Sequence, residues 1–336
     1  MGLPVGFLLD DVLLYRSSRV HATLTVYERR DESMRILIAL GGNALLRRGE
    51  SPDAAPQLAH IVEAAPALAV LARQHEVVIT HGNGPQVGLL ALESANDRGL
   101  VRPYPLDALV AETQGLIGYW LQQSVANAGL NRPIVSIVTQ TVVDQNDPAF
   151  SAPKKFIGAV YDQKTARTFE RDRRWTMQRD GDAWRRVVAS PAPIEIVETQ
   201  VVRDLLGLGV TVICGGGGGA PVVRVGATLC GVEAVVDKDH VAAMLALRLR
   251  AELLVLLTDV PNVIADYGAS NEHPIGTTTV AEIEKQSFAA GSMGPKVEAA
   301  ARFVRESGHV SVIGALGQLA GIVKGTAGTR IVAQPS

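Results

Sequence analysis

The sequence predicts an α/β protein: a three-layer αβα sandwich around a mainly parallel central sheet, with a small β-rich subdomain inserted into it. Three observations carry this. From Met34 onward, short runs rich in Val, Ile and Leu alternate with longer stretches of helical period, the rhythm of strand–helix–strand units. The chain is 47% hydrophobic but only 4% aromatic, so it has ample apolar surface to bury and its core is aliphatic. Its 33 glycines are bunched, and the bunches follow the apolar runs, where a parallel sheet gathers its ligand loops.

Taken in order, Ile36–Leu40, Val77–Thr80, Ile134–Val138, Val210–Cys214, Leu253–Leu257 and Val310–Ile313 read as buried parallel strands. Helical patterns lie between and after them at Pro56–Gln74, Pro85–Arg98, Asp107–Ala128, Ile194–Leu206, Lys238–Arg250 and Pro295–Ser307. The last is well marked, because Val297, Ala300, Ala301 and Val304 recur at i, i+3, i+4, i+7 and Pro295 suits a first helical turn. Residues 145–190 break the rhythm. They are rich in charge, hold two of the three tryptophans (Trp175, Trp184) and carry the turn-like Arg179-Asp180-Gly181-Asp182, which reads as an inserted, protruding β-rich subdomain. Residues 1–33 show no sustained period and read as a dispensable N-terminal extension, with Met34 as the natural start and 34–332 as the folded domain.

Composition excludes several classes. Lys and Arg number 32 against 34 Asp and Glu, a formal charge of −2, so no basic surface points to nucleic acid. No apolar stretch reaches 18 residues without a charge or a breaker, and the N-terminus lacks the basic region and cleavage site of a signal peptide. Cys214 and Cys230 make no disulfide framework and no metal-ligand spacing. The expectation is a cytoplasmic protein.

Four glycine clusters carry the chemistry: LGGN (Leu40–Asn43), THGNGPQVG (Thr80–Gly88), CGGGGGAP (Cys214–Pro221) and GSMGPK (Gly291–Lys296). Without a Cβ, backbone N–H groups approach phosphate oxygens closely, and helix N-termini add positive partial charge there. No G-x-x-x-x-G-K-[ST] is present, which excludes a P-loop. Gly215, Gly217 and Ala220 satisfy G-x-G-x-x-A, yet Pro221 and Val222-Val223-Arg224-Val225 read as extended chain where a dinucleotide fold requires a helix. Beside the clusters stand Lys154 and Lys155, Lys238 flanked by Asp237 and Asp239, and Lys296. Phosphoryl transfer asks for in-line positioning and cations around the moving group, which lysines from separate loops supply. One flanking carboxylate would orient Lys238 and the other hold Mg²⁺ through water, or the acidic pair would simply favour a helix N-terminus.

Taken together, LIALGGNAL, THGNGPQVG, ETQGLIGY, TQTVVDQNDPAF, RRVVASP, GGGGGAPV, GVEAVVDKD and GSMGPKV resemble, in order, the segments of the carbamate kinases within the amino acid kinase fold. The resemblance runs from Met34 to about Val332, and LGGN in place of LGGK favours carbamate kinase over acetylglutamate kinase. It implies reversible Mg²⁺-dependent phosphoryl transfer between ATP and carbamate, giving ADP and carbamoyl phosphate, in arginine and carbamoyl phosphate catabolism. By position it implies catalytic roles for Lys155, Lys238, Asp239 and Lys296. Gly41, Gly42, Asn43, Gly82 and Asn83 would bind substrate and phosphate. Gly216, Gly217, Thr258, Val260 and Met293 would contact the nucleotide. It assigns no metal-ligating residue and implies a homodimer, with no nucleic-acid or membrane partner. Three positions depart from the family pattern: Lys154-Lys155-Phe156 where Thr-Lys-Pro is usual, Ala189 for a proline, and His240 for a small or apolar residue. A sibling kinase with another carboxylate or phosphate acceptor, and a non-catalytic sensor on the same fold, are the competing readings.

Overall fold

Successive side chains along the central strands point to opposite faces, and both faces are buried, which separates the layers. In the computed structural model, which describes residues 33–46, 49–288 and 293–334, the strand Arg35–Leu40 sends Leu37 and Ala39 to one face and Ile36, Ile38 and Leu40 to the other. The first face packs on the helices Lys238–Leu249 and Met293–Ser307 through Val241, Leu245, Phe303 and Val304. The second packs on Ala54–Gln74 and Leu106–Asn127 through Ile61, Leu68, Ile117 and Leu121. Both faces are covered, which is why the strands read as continuous apolar runs. The Ala54–Gln74 helix is long and apolar enough to cross a membrane, but it lays Ile61, Ala64, Leu68 and Ala72 on the sheet.

The sheet has eight strands in the order Thr277–Thr279, Thr329–Val332, Val310–Ala315, Leu253–Thr258, Arg35–Leu40, Glu76–His81, Thr211–Ile213, Ile134–Ser136. All neighbours are parallel except Val310–Ala315 with Thr329–Val332. The carboxyl ends of the Arg35–Leu40, Glu76–His81 and Thr211–Ile213 strands run directly into Gly41-Gly42, Gly82-Asn83 and the five-glycine loop. A second, four-stranded sheet is ordered Thr228–Gly231, Ala220–Val225, Gln140–Val143, Pro193–Ile196. Ala220–Val225 is the extended chain that the proline and Val-rich run after the glycines predict.

One element differs from the sequence reading. Residues from Ile194 carry a helical pattern, yet Pro193–Ile196 is a strand and the helix spans Thr199–Gly207. The open edge of Gln140–Val143 decides this: Thr141 pairs with Ile196, and the Glu198 carboxylate accepts the Gln140 backbone N–H at 2.8 Å. Pairing and a buried hydrogen bond outweigh a weak local preference.

Residues 155–188 leave the sandwich as a three-stranded antiparallel sheet, Lys155–Tyr161, Ala183–Val188 and Thr176–Asp180, with the helix Gln163–Arg173. Phe169, Arg173, Trp175 and Arg186 stack into its own small core. The sheet docks on the body through Ile157 and Val188, which meet Val87, Val110 and Val235. Backbone contacts backbone at this joint: a Cβ on Gly88 would lie 2.0 Å from the Gly158 Cα. Of the expected extension, residues 1–33, only Ser33 is among the described residues, and it is buried.

Candidate active site

The cleft lies where three strand ends, the N-terminus of the Lys238–Leu249 helix and the three-stranded sheet converge, and its volume is about 180 Å³. The five-glycine loop forms one wall. Gly215, Gly217, Gly218 and Gly219 all have positive φ, a backbone no Cβ-bearing residue takes cheaply. Threonine hydroxyls hold this shape: Thr80 donates to the Gly215 carbonyl at 2.8 Å, Thr141 to Gly218 at 2.7 Å, and Thr139 accepts the Gly215 N–H at 3.0 Å. Asn83 closes the turn by donating to the Gly217 carbonyl at 3.3 Å, while its own carbonyl accepts from Thr113 at 2.6 Å.

His81 sits behind this wall. It pairs with the Gly82 carbonyl at 2.8 Å through Nδ1, and complete burial lowers its pKa to about 4. It is therefore a neutral imidazole at physiological pH, with Nδ1 as the donor.

The cations come from three elements. Asp237 caps the Lys238–Leu249 helix by accepting the Asp239 N–H at 2.9 Å, and this places Lys238 and Asp239 in the first helical turn. The Asp239 carboxylate then takes Lys238 Nζ on one oxygen at 2.5 Å and Lys296 Nζ on the other at 2.9 Å. Lys296 projects from the start of the Met293–Ser307 helix, so one buried carboxylate holds two ammonium groups from separate elements. Burial pulls the Lys238 ammonium down to about 8; Asp239 opposes the shift and Lys296 adds to it. Burial would raise the Asp239 carboxyl, yet Lys238 and Lys296 hold it below the usual carboxylate range.

Lys155 comes from the three-stranded sheet, and its Nζ meets Asp237 Oδ2 at 2.7 Å. Burial opposes ionisation of Asp237, but the Lys155 charge outweighs it and keeps the carboxyl well below its ordinary value. The strand settles which of two adjacent lysines serves. Lys155 and Ile157 share the inward face, whereas Lys154 is exposed.

Of the residues singled out from sequence, Gly42, Gly82, Asn83, Gly217, Lys155, Lys238 and Asp239 line the cleft. Lys296 joins them through Asp239. Gly41 stands against the Leu257 carbonyl, where a Cβ would come within 2.6 Å, and Gly216 is packed against His81. Thr258 and Val260 lie at the adjoining strand end, and Met293 opens the helix that carries Lys296 and packs on the core; the structure does not bring these three into the cleft lining. Gly291 and the Asn43 side chain fall outside what is described. Sequence reasoning missed the Asp237–Lys155 pair, the threonines that fasten the glycine loop, and Arg185, which also lines the cleft. The threonines had a signal in the TQT motif, at the start of a strand, and in the first residue of THGNGPQVG, near the end of one that leads to a glycine loop; Arg185 had none.

A profile of the amino acid kinase family matches residues 34–314. The chain is 47% identical over 302 residues to the carbamate kinase of Rhizobium meliloti, covering 89% of this chain and 93% of that one. It is 47% identical over 296 residues to the carbamate kinase of Escherichia coli K12, covering 88% and 98%. Among solved structures, carbamate kinase from Giardia lamblia bound to AMP-PNP superposes with a TM-score of 0.83 at 37% identity, over 90% of this chain and 99% of that one. With this site built on this sheet, the chain belongs to the amino acid kinase family and, within it, to the carbamate kinases.

Proposed function

We propose that the chain interconverts ATP plus carbamate with ADP plus carbamoyl phosphate, Mg²⁺-dependently, in arginine and carbamoyl phosphate catabolism, as a cytoplasmic homodimer. The observation that carries the reaction is the single Asp239 carboxylate that pins Lys238 and Lys296 at the head of a glycine-walled cleft. In the forward direction a carbamate oxygen attacks the γ-phosphorus and the bond to the β–γ bridging oxygen breaks, which releases ADP. Charge on the transferring oxygens and on the leaving oxygen needs fixed cations, and Lys238 and Lys296 are already oriented before substrate arrives. Lys155 reaches the same space from the small sheet. Gly42, Gly82, Asn83 and the Gly41–Asn43 backbone would cradle the phosphoryl and acceptor groups. Gly216 and Gly217, with Thr258, Val260 and Met293 nearby, would meet the nucleotide, in keeping with the AMP-PNP complex of the Giardia lamblia relative.

The residues present do not fit a metal held by the protein itself. Both Asp237 oxygens and both Asp239 oxygens already carry a hydrogen bond or an ammonium, and the described residues contain no cluster of three His, Cys, Asp or Glu. Mg²⁺ would therefore enter on the nucleotide phosphates as part of the substrate.

The test is ATP formation from ADP and carbamoyl phosphate with Mg²⁺, run beside ADP formation with acetate, acetylglutamate and UMP as acceptors. Turnover with carbamoyl phosphate is expected. Turnover only with another acceptor would turn the protein into a sibling kinase, and none with any would make it a sensor. Light scattering of the full chain checks the dimer, for which twice the monomer mass is expected.

A further inference from the structure

Arg185 is the cleft cation to which nothing above gives work. We propose that it is a specificity-determining residue: its forked guanidinium takes the planar, carboxylate-type end of the acceptor, while the lysines serve the phosphoryl group. This rests on the carbamate kinase reading and assigns the acceptor end of the same site.

The first ground is that Arg185 is mounted, not free. Pairing between Lys155–Tyr161 and Ala183–Val188 slips between Ile157 and Val160, and Gly158 at the slip has φ +71°. Arg185 Nε donates to the Gly158 carbonyl at 2.8 Å, and Nη1 lies 3.3 Å from Asp180 Oδ2. A bulge of this kind re-aims side chains, and Arg185, opposite this one, lines the cleft. With Nε and Nη1 held, Nη2 makes no hydrogen bond among the described residues, so its donors remain for a ligand.

Charge makes the second ground. Lys155 is matched by Asp237 at 2.7 Å, and Lys238 and Lys296 share Asp239 at 2.5 and 2.9 Å, all inside the site. Among the described residues the carboxylate paired with Arg185 is Asp180, at 3.3 Å and itself 37% exposed, and it does not line the cleft. Arg185 is thus the cleft cation whose carboxylate partner stands outside the lining, whereas the partners of Lys155, Lys238 and Lys296 stand inside it. Geometry makes the third. A carboxylate-type group is planar and offers two oxygens to parallel N–H donors, which a guanidinium matches and an ammonium does not.

The experiment is steady-state kinetics of the full chain in both directions, comparing wild type, R185A and R185K, with thermal melts of each. Losing a charged hydrogen bond to the acceptor should raise KM for carbamoyl phosphate and for carbamate by about 10-fold or more. KM for ADP and ATP should stay where it is, and R185K should not restore the acceptor KM because a point charge lacks the fork. An unchanged acceptor KM in R185A overturns the proposal. So does full recovery in R185K, a fall in kcat with acceptor KM unmoved, which would place Arg185 on the transferring phosphoryl, or a parallel rise in every KM with a lowered melting temperature, which would make it a strut for the small sheet. Should R185A not fold, the R185K acceptor KM decides alone: a rise sustains the proposal and no rise overturns it. Wild-type protein that makes no ATP from carbamoyl phosphate overturns the underlying reading instead, and this one with it.

Discussion

The five-glycine loop and the three-stranded sheet border the same cleft, but one is fastened from within the core and the other from outside it. Gly215 to Gly219 are buried, and the hydroxyls of Thr80, Thr139 and Thr141 set their backbone through bonds of 2.7 to 3.0 Å. The sheet rests on a small apolar patch, one Gly88–Gly158 backbone contact and the half-buried Lys155–Asp237 pair. Buried, fully satisfied polar contacts are costly to break, whereas a partly solvated ion pair holds loosely. The glycine wall is thus held in place before any ligand arrives, while the part that brings Lys155 and Arg185 is positioned by fewer contacts with the body. This fits a division in which the inner wall and the Asp239 pair do the charge stabilisation and the outer sheet selects.

The sharpest way to break that division is to remove a lysine on the inner side. Lys296→Ala or Lys238→Ala should lower kcat by about 10²-fold or more, the scale of losing one preorganised donor. Near-normal turnover in both variants would return the charge stabilisation to the outer sheet.

A paired substitution comes next. Gly88→Ala places a Cβ 2.0 Å from the Gly158 Cα, so the sheet must shift, and a displacement near 1 Å costs up to about 10²-fold in rate. Its melting temperature should hardly move, since the main core is untouched. Thr141→Val should do the reverse. It strands the buried Gly218 carbonyl, costs about 1–3 kcal/mol of stability, and leaves turnover closer to wild type. Equal effects of the two on both readouts would erase the distinction between the walls.

The mildest effect is read by pH. Burial lowers Lys238 to about 8, so kcat/KM for carbamoyl phosphate should fall as the pH rises through 8, by about tenfold per pH unit beyond it. Stability should move the other way. An unfolded lysine keeps its proton to its ordinary value of 10.5, and the folded one loses it from about 8, so the unfolded chain binds more protons in that window. This group therefore stabilises the fold increasingly between those limits, while activity declines. An activity profile flat to pH 10 would place the ammonium outside the reaction.

Legibility followed how local each signal was. The strand starting near Ile36 and the Lys238 and Lys296 helices were plain, because apolar period and a capping aspartate are written in consecutive residues. Gly82, Asn83 and Gly217 stood out because each lies in a glycine cluster directly after a strand, and Gly217 has positive φ there. Residues 194–196 read as the start of a helix because their partner edge lies about 50 positions upstream, at Gln140–Val143. Arg185 was invisible beside Arg186, since strand alternation sends one to the cleft and the other onto Trp175, and only tertiary contacts decide which face is which.

What the sequence by itself determined is the sandwich, the family and the set of glycines and lysines, all of which depend on composition and short-range spacing. Only the tertiary structure decided that Asp239 joins Lys238 to Lys296 across 57 positions, that Asp237 selects Lys155 over Lys154 across 82, and that Arg185 faces the cleft. An ion pair forms wherever folding brings opposite charges within about 4 Å, and no local pattern encodes which distant side chain will be there.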